Sequence, residues 1–349
     1  MEQSELFDVT VIGGGPAGLY SAFYSGLREM KTKIIDFQPQ LGGKLHIYPE
    51  KMIWDVGGLT PITGSKLTEQ LVEQGLTFNP AVILNEKVES ISRNEDGIFV
   101  LNGASGQRHY SKTVIIAIGG GILKPQKLAL EEAEQFESTN LHYTVKSYKH
   151  FKDKTVVISG GGNSAIDLAN ELEPIAKKVY LTYRKDALSG HESQVTQLLN
   201  GSTICFFNTS ITKLIAYENQ KRIKQVVLTN HETEEISYLP IDEVIINHGY
   251  EHEASLLKNS KLNIDIVEDY YISGNANSET SIEGLFAAGD ILKHSGKINL
   301  IAGAFQDAAN AVNQAKQYIQ PDATRSAMVS SHNELFTKRN RELVQQMIK

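Results

Sequence analysis

The chain has 349 residues, 41% hydrophobic and 21% charged, which suits a globular protein of about two domains. A formal net charge of -7 runs against a general nucleic-acid binder, which carries a basic surplus. The single cysteine, Cys205, excludes an internal disulfide, a Cys-x-x-Cys redox pair and a cysteine-rich zinc or iron–sulfur centre, so no metal site is expected.

Met1 to Phe7 is polar and acidic and leads straight into a strand, so no export leader is expected, and no apolar run approaches the roughly 20 residues of a membrane span. A cytoplasmic protein is expected. Strand-like and helix-like runs then alternate, the pattern of a parallel sheet flanked by helices, and two strand-to-helix units stand out. In the first, Phe7 to Ile12 runs into Gly13-Gly14-Gly15-Pro16-Ala17-Gly18 and a helix-like stretch, Leu19 to Arg28; the next strand, Lys33 to Ile35, ends on Asp36. This is G-x-G-x-x-G between strand and helix. Gly13 permits the tight turn, Gly15 lets the backbone approach a pyrophosphate, and Gly18 lets the helix lie close to the strand. Asp36 is placed to accept hydrogen bonds from an adenosine ribose.

The second unit is Thr155 to Ser159, then Gly160-Gly161-Gly162-Asn163-Ser164-Ala165 and a helix from about Ile166 to Leu172. Ala165 replaces the third glycine. The following strand, Lys178 to Tyr183, leads to Arg184-Lys185, which are read as occupying the place where an acid would select NAD. A cationic pair there suits the 2′-phosphate of NADP, because a guanidinium bonds phosphate in a bidentate way. The contrast in charge assigns FAD to the first loop and NADPH to the second. Late in the chain, Thr280 to Ala288 delivers Gly289-Asp290, an acid beside a glycine at a strand end, suited to a flavin's ribityl chain. Beyond it a helix is expected over Ala308 to Ile319, its N-terminal end presenting amide donors to the flavin's pyrimidine edge.

These blocks resemble the thioredoxin-reductase-like flavoproteins and, within them, the homodimeric bacterial ferredoxin (or flavodoxin)-NADP reductases. The general part of the resemblance is the two glycine loops and Phe286-Ala287-Ala288-Gly289-Asp290. The specific part is Gly42-Gly43-Lys44-Leu45-His46-Ile47-Tyr48-Pro49-Glu50-Lys51 with Trp54-Asp55-Val56. Thioredoxin reductases carry a Cys-x-x-Cys that this chain lacks. The resemblance implies that Tyr48 stacks on the isoalloxazine ring, that Val88 gives backbone hydrogen bonds to the adenine, and that Leu123 packs by the flavin. It implies that Ser331 and His332, in a C-terminal extension, lie near the flavin of a dimer partner. Lys44 stands where the family usually has glutamine, and a cation there would favour anionic reduced flavin.

The expected fold class is α/β, two Rossmann-like three-layer dinucleotide-binding domains with the NADPH domain inserted in the FAD domain. Residues 1–118 and 249–349 would form the FAD domain and 119–248 the NADPH domain, with glycine-rich links that fit a hinge. Nicotinamide C4 must then meet flavin N5, a step that needs no acid–base residue. Electrons would pass singly to ferredoxin or flavodoxin; a quinone or a separate thiol protein as acceptor, or a flavin redox sensor without turnover, are the alternatives. Lys146, Lys149, His150, Lys152 and Lys154 form a candidate basic dock for an acidic carrier.

Overall fold

The computed structural model describes residues 5–121, 124–218, 221–251, 253–327 and 333–348. The chain divides into two compact units, one of Met1–His46, Lys51–Ile122 and His252–Lys349, the other of Ile47–Glu50 and Leu123–Glu251. Both are α/β, and the second is inserted in the first.

In the first unit the sheet order is Ala81–Ile83, Thr32–Ile35, Leu6–Ile12, Arg108–Ile116, Phe99–Gly103 and Val88–Arg93. The first four run parallel and the last two close as antiparallel neighbours. Arg108–Ile116 pairs with Phe99–Gly103 along its first half and with the late strand Leu285–Ala287 along its last three residues. That late pairing, parallel like that of the first strand, brings Gly289 and Asp290 to the same carboxyl-terminal end of the strands as the first glycine loop. Strands covered on both faces read as unbroken apolar runs, and here Val9, Val11, Ile34, Ile35 and Val114 to Ile116 are all 0% exposed. Helices Pro16–Leu27 and Ile301–Ile319 cover one face through small residues, Ala17, Ala304, Ala308, Ala311 and Ala315, which let them approach closely. The other face is filled by Ile12, Ile35, Ile91, Phe99, Leu101 and Ile116 with Leu256 and Leu257.

The helix expected over Ala308 to Ile319 starts seven residues sooner, at Ile301. The glycine- and alanine-rich stretch before Ala308 is itself helical. A Cβ at Gly303 would meet the Ile298 carbonyl oxygen at 2.1 Å, so glycine is what allows the preceding chain to lie against the first turn.

The second unit has a five-stranded, wholly parallel sheet in the order Leu141–His142, Glu243–Ile246, Thr155–Ser159, Lys178–Thr182 and Ile204–Phe206. A three-stranded antiparallel sheet, Thr209–Ala216, Ile223–Asn230 and Ile236–Pro240, covers one side, with Leu214, Val226 and Leu228 packed on Val157 and Val244. Helix Asn163–Leu172 covers the other through Ile166, Ala169 and Leu172. The chain enters and leaves this unit on a short antiparallel ribbon, Lys124–Pro125 with Tyr250–Glu251.

Candidate dinucleotide-binding loops

Gly13 sits at φ +106°, and a Cβ there would meet the Ala117 carbonyl oxygen at 2.4 Å. A Cβ on Gly18 would come within 1.8 Å of the Gly13 oxygen, so this glycine sets how closely the helix meets the strand. Gly15 differs: the nearest atom to a Cβ there is Gly43 Cα at 3.7 Å. It is the N-cap of Pro16–Leu27, with extended backbone and no side chain bonded to the helix's first N–H groups. Pro16 begins the helix and Ala17 is buried in it. Asp36, 7% exposed, reaches back into the loop: its Oδ2 accepts the Gly14 N–H at 2.5 Å and its Oδ1 the Gln38 N–H at 2.7 Å. Burial raises its pKa, and those two N–H groups work against the rise.

The second loop repeats this construction. Gly160 is at φ +152°, and a Cβ there would meet the Asn247 oxygen at 2.4 Å. Gly162 has nothing within 4 Å of a Cβ and caps Asn163–Leu172 with extended backbone and no side-chain bond. Ala165 is buried beneath the loop and Ser164 is exposed. Asn163 Oδ1 accepts the His191 N–H at 2.8 Å, so this side chain ties the 189–191 segment to the loop.

The two loops also align at the next strand, which corrects one expectation. The Gly13 N–H donates to the Ile35 oxygen and the Gly160 N–H to the Thr182 oxygen. The residue matching Asp36 is therefore Tyr183, whose ring lies against Gly161 where a Cβ would be 2.3 Å away. Arg184 and Lys185 follow it, both exposed. They flank the acid's position rather than fill it, because the strand ends at Thr182.

Asp290 is exposed on the turn after Leu285–Ala287, and Gly289, at φ +77°, is wedged where a Cβ would be 2.9 Å from Ala17 Cβ. Val88 is a core residue paired with Gly103, packed with Phe99 and Leu101. Lys44 is exposed in the 3-10 turn Gly43–Ile47, and Tyr48, half-buried, belongs to the short piece that packs with the second unit. Leu123, Ser331 and His332 lie outside the described residues.

Three groupings were not legible in sequence. Asp307 and Lys297 form an ion pair with both side chains 7% exposed, and Asp307 Oδ2 also accepts the Gly289 N–H at 3.1 Å. His248 Nε2 lies 2.9 Å from Ser159 Oγ at the end of the second loop's strand; burial first, and the Arg184 charge second, push its pKa down. Glu243, 0% exposed, gathers His142 Nε2 at 2.7 Å, Lys154 Nζ at 2.7 Å, Arg222 Nη2 at 3.0 Å and His150 Nε2 at 3.2 Å. Its burial opposes ionisation, yet these donors hold its pKa at about 2. His142, His150 and Glu243 have ligand atoms within 4.8 Å of one another, but Lys154 and Arg222 already supply the positive charge a metal would bring. The same contact thins the expected dock, since His150 and Lys154 turn onto Glu243 and leave Lys146, Lys149 and Lys152 as its exposed lysines.

Two Rossmann-like units, each with a glycine loop opening an uncapped helix, have the architecture of a dinucleotide-binding oxidoreductase. Residues 7–315 match the model of the family described as pyridine nucleotide-disulphide oxidoreductase. The chain is 74% identical over 349 residues to a Bacillus mycoides protein named ferredoxin–NADP reductase 1, and 75% identical over 348 residues to one of the same name from Bacillus cytotoxicus, each alignment covering 100% of both chains. It also shares its fold with Lactococcus lactis thioredoxin reductase, at a TM-score of 0.76 and 24% identity over 90% of this chain and 99% of that one. The chain belongs to the pyridine nucleotide-disulphide oxidoreductase family, among the ferredoxin–NADP reductases, and has a thioredoxin-reductase-like fold. No helix among the described residues is long and apolar enough to cross a membrane.

Proposed function

We propose that the chain is an NADPH-dependent flavoprotein reductase, with FAD on the Gly13 loop, NADPH on the Gly160 loop, and ferredoxin or flavodoxin as the electron acceptor. The observation that carries this reading is the pairing of two open glycines, Gly15 and Gly162, each at an uncapped helix N-terminus, with opposite charge beyond them. Uncapped first-turn N–H groups and the positive end of the helix dipole fit a pyrophosphate. Asp36 keeps acceptor capacity beyond its two backbone bonds and can take ribose hydroxyls, as a carboxylate has about four lone-pair sites. Arg184 and Lys185, exposed past Tyr183, suit an adenosine 2′-phosphate.

A bound flavin supplies the conversion of a two-electron hydride donor into single-electron output. The protein's part is to bind and orient. Asp290 and the first turn of Ile301–Ile319 stand on the Gly13 side for the flavin, with Tyr48 and Lys44 as further neighbours. With one cysteine, the chain cannot pass electrons through an internal dithiol, which favours a separate carrier over a disulfide route. The relatives named ferredoxin–NADP reductase support the same acceptor. A homodimer in the cytoplasm is part of the proposal. The test is to purify the protein, record its visible spectrum, and time NADPH oxidation with and without ferredoxin, with cytochrome c as the reporter. A flavin spectrum and acceleration by ferredoxin or flavodoxin are expected. A colourless protein that takes up no FAD rejects the cofactor assignment, and flavin without acceleration rejects the acceptor.

A further inference from the structure

Gly289 is held in the left-handed region at φ +77°, between Ala17 on the first helix and Ala304, 3.9 Å from its Cβ position, on the last. Its N–H donates to Asp307 Oδ2 at 3.1 Å, from the second turn of Ile301–Ile319. The same carboxylate oxygen meets Lys297 Nζ, and the His294 ring closes the other side, with Nε2 3.8 Å from Oδ1. His294 Nδ1 lies 2.7 Å from the Ser295 oxygen, and its Nε2 is buried without a hydrogen-bond partner among the described residues. Both members of the pair are only 7% exposed, so little water shares the carboxylate. The Asp307 backbone oxygen in turn accepts the Ser278 hydroxyl at 2.9 Å, fixing the helix to the loop before Leu285–Ala287. The turn that presents Asp290 is therefore set by a charge pair from outside the motif.

We propose that Lys297 and Asp307 are positioning residues for the flavin, acting through the Gly289 N–H to hold Asp290 and the first turn of helix Pro16–Leu27 in binding geometry. The inference rests on the assignment of FAD to the Gly13 loop. Lys297 is needed because an unpaired buried carboxylate would draw in water or a proton and release the Gly289 N–H. Asp307 is needed because a neutral apolar residue leaves that N–H without an acceptor. A pair that served only to stabilise the fold would be replaceable by two apolar side chains. A positioning pair would not.

The experiment strips flavin from the full chain and titrates FAD back, reading flavin fluorescence, beside thermal unfolding of each apoprotein. Lys297→Met is expected to weaken FAD binding about tenfold, the order of one lost hydrogen bond in the binding turn. Lys297→Arg is expected to restore it. In the double variant Lys297→Met with Asp307→Leu, the unfolding temperature rises above that of Lys297→Met alone, since no unpaired charge is left buried, while FAD stays at least about tenfold weaker. If that variant does not fold, Lys297→Gln with Asp307→Asn, which keeps an acceptor for Gly289 without charge, is expected to bind FAD within about threefold of the unsubstituted chain. Wild-type affinity in the Met/Leu variant, or tenfold loss in the Gln/Asn variant, overturns the positioning role alone. Failure of the unsubstituted chain to bind FAD overturns the flavin assignment and this inference with it.

Discussion

Asp36 accepts the backbone N–H of Gly14, 22 positions earlier, at 2.5 Å. The acid that ends the second strand thus shapes the glycine loop as well as facing the ligand it is proposed to hold. Two functions on one carboxylate separate under substitution. Asp36→Asn loses the charge and keeps one acceptor oxygen for the Gly14 N–H, setting its amide NH2 against the Gln38 N–H, while Asp36→Ala leaves both N–H groups without an acceptor.

Asp36→Ala is therefore expected to lower the apoprotein's stability by about 2 kcal/mol, the cost of stranding buried donors, and to weaken FAD binding as well. Asp36→Asn, with one of the two N–H groups still accepted, should cost less stability than Asp36→Ala and still weaken FAD. Chemical denaturation of the apoproteins and FAD titration separate the two effects. Equal stability loss in both variants would show that charge, not the acceptor, holds the loop.

Arg184→Ala is expected to raise the NADPH KM about tenfold or more, the loss of one charge-assisted phosphate contact, and to leave the NADH KM little changed. Steady-state kinetics with both nucleotides decides it. The exposed position of Arg184 predicts no change in unfolding temperature. A parallel rise for NADH would mean that Arg184 serves a part of the nucleotide common to both.

The two loops were legible because their chemistry is local: a strand, a turn that only glycine allows and a helix start lie within a dozen residues. Asp36 was legible for the same reason, as the end of a short apolar strand. The place of Arg184 was not, because one residue of strand length decides it, and the Gly160-to-Thr182 bond rather than the apolar pattern sets that length. The start of the last helix was hidden by Gly303, which reads as a breaker in sequence yet serves close packing against Ile298. Lys297 with Asp307, and Glu243 with Lys154 and Arg222, are tertiary pairings whose members carry no mark in the chain. The dock was overcounted for that reason, since a lysine's solvent exposure depends on a carboxylate 89 positions away in the case of Lys154.

A matched pair of glycine substitutions separates fold from ligand at the second loop. Gly160→Ala forces a Cβ to 2.4 Å from the Asn247 oxygen in a left-handed backbone, so a loss of stability of about 1–3 kcal/mol is expected. Gly162→Ala meets nothing within 4 Å and has an ordinary φ of -91°, so its stability should stay within about 0.5 kcal/mol of the parent. Its added methyl instead enters the open space proposed for the NADPH phosphates, and the NADPH KM should rise. Unfolding temperature and NADPH kinetics on the same two proteins provide the check. An unchanged KM for Gly162→Ala would remove the phosphate from that loop.

Glu243 supplies a pH dependence with a definite sign. Its pKa is lowered from 4.5 to about 2, so between those values the unfolded chain binds a proton that the folded chain refuses. The contribution is complete above about pH 5 and is lost as pH falls through the window toward 2. A fall of that size on a fully buried carboxylate corresponds to about 3 kcal/mol at neutral pH. Glu243→Gln removes the titrating group and leaves Lys154 facing Arg222 across a neutral amide, so stability at pH 7 should fall by that order. Denaturant unfolding measured from pH 7 to pH 3 is expected to show a shallower loss for Glu243→Gln than for the parent, the gap between the two curves narrowing to about half by pH 3 and closing only toward pH 2. Parallel curves over the whole range would place the acid sensitivity of the protein elsewhere.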